Sequence, residues 1–229
     1  MIPLKDANPK RGHPWVTWLL IVANVVVFVH QTTLSPYARE LFIRRYGVVP
    51  IHLTEELSLS SLITPLTSMF MHGGWLHLIS NMWFLHIFGD NVEDRIGKIR
   101  YVGFYLLCGL AAVIAQVIMD PMSQVPMVGA SGAIAGVLAG YVSLFPKARI
   151  LTLVPIFIFI QFVEIPAFFF IFVWFAIQLL GSQASLAHVG SGMGGVAFFA
   201  HVGGFVAGLL LMTVFRQGAG RSRRRSFSS

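Results

Sequence analysis

The sequence predicts an all-α membrane protein, a bundle of six transmembrane helices with both termini cytoplasmic. Three observations predict it. The chain is 56% hydrophobic and only 11% charged, where a soluble domain is about 25% charged. Apolar runs approaching the roughly 20 residues that cross a bilayer recur along the chain. Basic residues also gather on one side of the resulting topology.

The elements follow in order. Residues 1–13 are polar, carry Lys5, Lys10 and Arg11, and read as a cytoplasmic segment. The apolar run after them lacks an A-x-A-type cleavage site, so Pro14–Gln31 reads as a retained first span. The spans then run Trp75–Gly89, Tyr101–Met119 and Ser131–Phe145. Between Arg149 and Gly181 the apolar run is broken by Pro155, Glu164 and Pro166. Pro166–Leu180 is the clean fifth span, with Leu151–Ile165 a lead-in to it. Met193–Phe215 is the sixth. Residues 14–215 therefore read as one six-span domain, and 216–229 as a basic cytoplasmic tail.

Charge supports that count. Six spans put thirteen basic residues on the side of the termini and three (Arg39, Arg44, Arg45) on the other. This positive-inside bias makes the termini cytoplasmic, and a plasma (inner) membrane is the expected location. A seventh span would place the arginine-rich tail outside. That tail reads as a flank for anionic lipid and not for nucleic acid. Residues 32–74 become an external first loop. Within it Ser35-Pro36 opens a short interfacial helix through Leu41, Phe42 and Ile43, and Gly47 stops it. Arg44 and Arg45 would reach for headgroups. The lone cysteine, Cys108, allows no intramolecular disulfide and no cysteine-built metal site.

Polar residues inside a bilayer are expensive and point to function. Ser131 opens the fourth span in the sequence Gly129-Ala130-Ser131-Gly132, and His201 sits in the sixth. His77 and Asn81 lie one turn apart on one face of the second span. Small residues recur every four positions at Gly132, Gly136 and Gly140, and again at Ala200, Gly204 and Gly208. Such stripes let two helices approach closely. Packing alone would also account for them, with Ser131 a mere cap. The topology puts Ser131, His201 and Asn81 in the outer half of the membrane, at one level. That fits a site better than scattered packing contacts.

Serine needs a base to become a nucleophile, which His201 can be. An oxyanion formed from an amide needs preorganised donors: Asn81, His77 and the Ser131 amide can supply them. The sixth span holds no Asp or Glu, so a Ser-His dyad is expected. Glu164 reads as structural or interfacial, and His13, His30, His52, His86 and His188 as non-catalytic. The gate would be span five with the loop Ser182–Gly192.

Four motifs resemble those of the rhomboid intramembrane serine proteases. They are G-A-S-G at 129–132, A-H-V-G-G-F-V-A-G at 200–208, H-x-x-x-N at 77–81 and F-G-D-N-V-E-D-R-I-G at 88–97. The resemblance implies Ser131 as nucleophile and His201 as base. It implies an oxyanion hole of His77, Asn81 and the Ser131 amide, with His72, Gly129 and Gly132 in support. It further implies transmembrane protein substrates cut near their outer ends, without a metal or cofactor. Two features depart from the family. Arg44-Arg45-Tyr46 stands in the first loop where some relatives have Trp-Arg. Ala135 stands four residues after the serine, where some have an aromatic that packs on the histidine. The alternatives are an inactive rhomboid-like protein that binds membrane segments without cleavage, and a transporter lined by His77, Asn81 and His201. The sequence leaves the oligomeric state open.

Overall fold

The computed structural model describes residues 1–8, 12–156, 159–186 and 197–225, with backbone only at 156, 178–179, 181–186 and 217–225. The described chain is mostly helical but not all-α. It opens on β1 (Ile2–Asp6) and runs through α1 (Trp15–Thr33), α2 (Pro36–Tyr46), α3 (Pro50–Thr54), α4 (Leu59–Thr67) and a 3₁₀ turn at Ser68–Phe70. Then come α5 (Trp75–Ile96), α6 (Lys98–Met119), α7 (Ser131–Leu144), β2 (Arg149–Ile156), β3 (Phe159–Pro166), α8 (Ala167–Leu186) and α9 (Phe198–Arg225).

The strands correct the expected lead-in. Leu151–Ile165 folds as an antiparallel hairpin in which Thr152 pairs with Val163 and Leu153 with Phe162. The N-terminal segment joins it as β1, in the order β1-β2-β3. The physical reason is local. Ile, Leu, Val, Thr and Phe dominate 150–163, and β-branched and aromatic residues favour a pleated surface. Pro155 and Pro166 discourage a continuous helix there.

Three described helices are long and apolar enough to cross a membrane: Trp15–Thr33, Lys98–Met119 and Phe198–Arg216. α5 is 22 residues long but ends in Asp90, Glu93, Asp94 and Arg95. α7 has 14 residues, about 21 Å at 1.5 Å per residue. It sits at the centre, between α5, α6 and α9, and every residue from Gly132 to Tyr141 is buried. That burial on all sides explains its nearly uniform apolar sequence.

Glycines let α7 and α9 touch. A Cβ at Gly204 would fall on the carbonyl oxygen of Gly132, and one at Gly208 on that of Gly136. The two predicted stripes thus face each other. Gly203 turns the neighbouring side of α9 to Ala111 and Ala115 of α6, a contact the stripe alone did not reveal.

Two buried carboxylates tie together the N-terminal segment, α1, α5 and α7. Glu93 of α5 accepts the backbone N–H of Val16 (3.1 Å) and Thr17 (2.8 Å) and the Thr17 hydroxyl (2.8 Å). It therefore caps α1 from another helix, satisfying donors the helix leaves unpaired. Asp6 of β1 accepts from Asn91 of α5 (2.8 Å) and from the Tyr141 hydroxyl of α7 (3.0 Å). Burial holds its carboxyl above the ordinary value.

The first loop begins as expected. The Ser35 hydroxyl accepts from the Ala38 amide (3.3 Å) and Gly47 ends α2. Further on, the loop is anchored to the segment before α7. Val48 and Met127 form an antiparallel bridge, and the Gly129 amide donates to Ser68 O (2.9 Å). This fixes the backbone immediately ahead of Ser131.

Candidate active site

Ser131 is the first residue of α7, and Ala130 in the cap position makes no side-chain cap bond. The Ser131 hydroxyl instead meets His201: Oγ and Nε2 lie 2.7 Å apart. His201 lies in the first turn of α9, since Ala197 is outside the helix and Phe198 begins it. The expected start of the sixth span at Met193 is corrected: the described helix begins five residues later, at Phe198. Both side chains project from helix starts, and the Gly132–Gly204 contact brings those starts together. The Ala200 amide beside His201 donates to Gln116 Oε1 of α6 (3.3 Å).

Gly129 has φ +132°, a conformation that disfavours side chains. A Cβ there would also lie 2.8 Å from Cε1 and Nε2 of His77. So the loop before Ser131 packs directly on the His77 ring, one turn ahead of Asn81 on α5. His77 Nδ1 accepts from the Gly73 amide at a long 3.5 Å. In the neutral ring this leaves Nε2 as the donor, on the side facing Gly129. Asn81 is buried, and its Nδ2 has no hydrogen-bond partner among the described residues. An unpaired buried amide is a costly group unless something else uses it.

His72 is 1% exposed in the loop before α5, its ring edge-on to His77 at 5.0 Å. Burial, with His77 nearby, pushes its pKa down to about 3, so it stays neutral. Its backbone is clamped by Gln31 of α1, whose amide group exchanges two 3.2 Å hydrogen bonds with it. A cavity of about 30 Å³ lies beside Ser131, lined by Ser68, Met69, Gly129 and Ala200 among others. That is ample for one water.

The structure thus joins Ser131 to His201, brings His77 against Gly129, and puts His72 behind His77. Gly132 serves the helix crossing. The remaining histidines lie elsewhere: His52 pairs with Glu56 (3.5 Å), and His188 is outside the described residues. Glu164 pairs with Arg149 across the hairpin at 4.0 Å. Of the expected gate loop, 182–186 continues α8 and 187–192 is outside the described residues.

One residue near the site escaped sequence reasoning. Trp174 of α8 lies with its ring centroid 6.1 Å from that of His201, at 45°. Ala135, fully buried on α7, contributes no ring. No spacing signal links residues 174 and 201, because their meeting is purely tertiary.

Fold and site together define a multi-pass membrane protein with a serine and a histidine paired at two helix starts. A Rhomboid domain model matches residues 59–218, and the chain belongs to the rhomboid family. It is 27% identical over 173 residues to RHOMBOID-like protein 5 of Arabidopsis thaliana, covering 59% of this chain and 55% of that protein. It is 37% identical over 79 residues to Inactive rhomboid protein 1 of Drosophila melanogaster, covering 34% of this chain and 5% of that protein. To Putative rhomboid protease YdcA of Bacillus subtilis (strain 168) it is 35% identical over 80 residues, covering 35% and 38%. The chain spans about half the length of most of its Arabidopsis relatives. Two of these carry chloroplastic and mitochondrial in their names, so the expected inner membrane draws no support from them.

Proposed function

We propose that this chain is an intramembrane serine endopeptidase acting on transmembrane protein substrates within the bilayer. The observation that carries the reading is the 2.7 Å separation of Ser131 Oγ and His201 Nε2. At that distance Nε2 can take the hydroxyl proton as Oγ attacks a carbonyl carbon. The imidazolium then gives the proton to the leaving amine. Water, with His201 again as base, hydrolyses the acyl-enzyme. The Ser131 amide at the start of α7, His77 Nε2–H and the Asn81 amide group are the donors for the developing oxyanion. His72 keeps His77 in place.

The proposed frame is six spans, α1, α5, α6, α7, α8 and α9, over residues 14–215, with cytoplasmic termini and the tail 216–229 on that side. α7, at about 21 Å, is shorter than the roughly 30 Å of hydrocarbon. Its outer end can therefore start below the surface, where water must reach Ser131 from outside. The gate is assigned to α8 and the residues that follow it.

The rival is a family member that binds membrane segments without cutting them. The paired serine and histidine favour the protease. The test is labelling of the purified protein by a fluorophosphonate, together with cleavage of a reporter transmembrane substrate. Ser131→Ala and His201→Ala should abolish both while the helical content persists. Undiminished cleavage by Ser131→Ala overturns the reading.

A further inference from the structure

We propose that Trp174 of α8 is the positioning residue that orients His201. The inference rests on the proposed dyad. His201 is held through Nε2 by Ser131 alone, and its Nδ1 is buried without a hydrogen-bond partner among the described residues. An imidazole with one bond can swing about its side-chain torsions, yet a general base must keep its nitrogen within reach of the hydroxyl. Packing has to supply what no carboxylate does.

The ring that packs on it is Trp174. A centroid separation of 6.1 Å and a 45° tilt fall inside the range of favourable aromatic pairs. The indole is backed in turn. Phe84 of α5 lies 5.7 Å from Trp174 and 6.3 Å from Phe170, one turn earlier on α8. Thus α5 and α8 together fix the indole, and the indole fixes a side chain of α9. From the α7 side Ala135 has only a methyl to offer. Because Trp174 rides on α8, His201 is held only while α8 is seated against α5. Displacement of α8 releases the base.

The test uses the purified full chain in detergent. Wild type, Trp174→Ala, Trp174→Leu, Trp174→Phe and Ser131→Ala are compared for kcat, KM and fluorophosphonate labelling rate. Trp174→Ala and Trp174→Leu should lower kcat by about tenfold to a hundredfold, the scale of a misplaced catalytic group. KM should stay within about twofold, and labelling should slow in step with kcat. Trp174→Phe, which keeps a ring, should recover most of the loss. The leucine variant preserves apolar bulk, so it separates loss of the ring from loss of fold. Wild-type kcat in the leucine variant, equal damage in the phenylalanine variant, or a change in KM alone each overturns the role of Trp174. Undiminished cleavage by Ser131→Ala overturns the dyad itself, and the Trp174 role with it.

Discussion

Gly132 and Gly204 meet backbone to backbone: a Cβ on Gly204 would occupy the position of the Gly132 carbonyl oxygen. The residues on either side of that crossing are the pair to which the proposed chemistry is assigned. Ser131 precedes Gly132, and His201 lies one turn before Gly204. A methyl at this point must push α7 and α9 apart, and with them the 2.7 Å pair. Gly204→Ala should therefore destabilise the protein by about 1–3 kcal/mol, the usual cost of overpacking. It should also slow cleavage more than its stability loss explains. Thermal unfolding in detergent and single-turnover cleavage of the same preparation measure the two effects. Cleavage at the wild-type rate would show that the crossing does not set the dyad distance.

Gly129→Ala acts on the other side of the serine. The added Cβ meets the His77 ring at 2.8 Å, in a backbone conformation of φ +132°. Strain of this kind costs about 1–3 kcal/mol. The expected outcome is a displaced His77 and at least a tenfold loss in kcat. Kinetics of Gly129→Ala beside His77→Ala check it: the double variant should lose little more than the worse single one, because both changes remove the same proposed donor.

Asn81→Ala removes a buried amide nitrogen that has no hydrogen-bond partner among the described residues. If it serves the oxyanion, kcat falls by about 10²–10³ with little change in stability. A purely structural Asn81 would leave kcat nearly intact, so kcat measured against the unfolding temperature decides between them.

Glu93→Ala strips the cap from α1 and leaves the Val16 and Thr17 donors without their acceptor. Hydrogen bonds to a charged group contribute about 1.5–3 kcal/mol. The protein should unfold earlier by that order, while kcat of the folded fraction stays close to wild type, since Glu93 lies at the far end of α5 from His77.

His72 sets a pH dependence. In the unfolded chain it takes up a proton below about 6.5, but when buried it stays neutral down to about 3. Its contribution to stability is therefore complete above 6.5 and is lost as pH falls from there toward 3. Asp6 carries the opposite slope, its carboxyl being held above the ordinary value. The raw curve thus mixes the two, and the measurement is the difference between wild type and His72→Asn. That difference in unfolding temperature should grow with pH across the window and flatten above it.

The sequence by itself determined the class of this protein and singled out Ser131 and His201, which the fold brings within 2.7 Å of each other. Hydropathy marked the helices, glycine spacing marked the faces of α7 and α9 that touch, and Ser35-Pro36 marked the start of α2. These signals are legible because each depends on residues within a turn or two of one another. Tertiary structure decided the rest. β1 finds β2 nearly 150 residues away, and no local pattern in Ile2–Asp6 announces a partner at that distance. The apolar stretch before α8 was ambiguous for the same reason, since an extended hairpin and a buried segment share a composition. Glu93 reads as a surface charge near a helix end until α1 is packed on it. Trp174 reads as one more apolar residue of a span until α8 is laid beside α9, because ring contacts between helices are set by packing in three dimensions and leave no period in the chain.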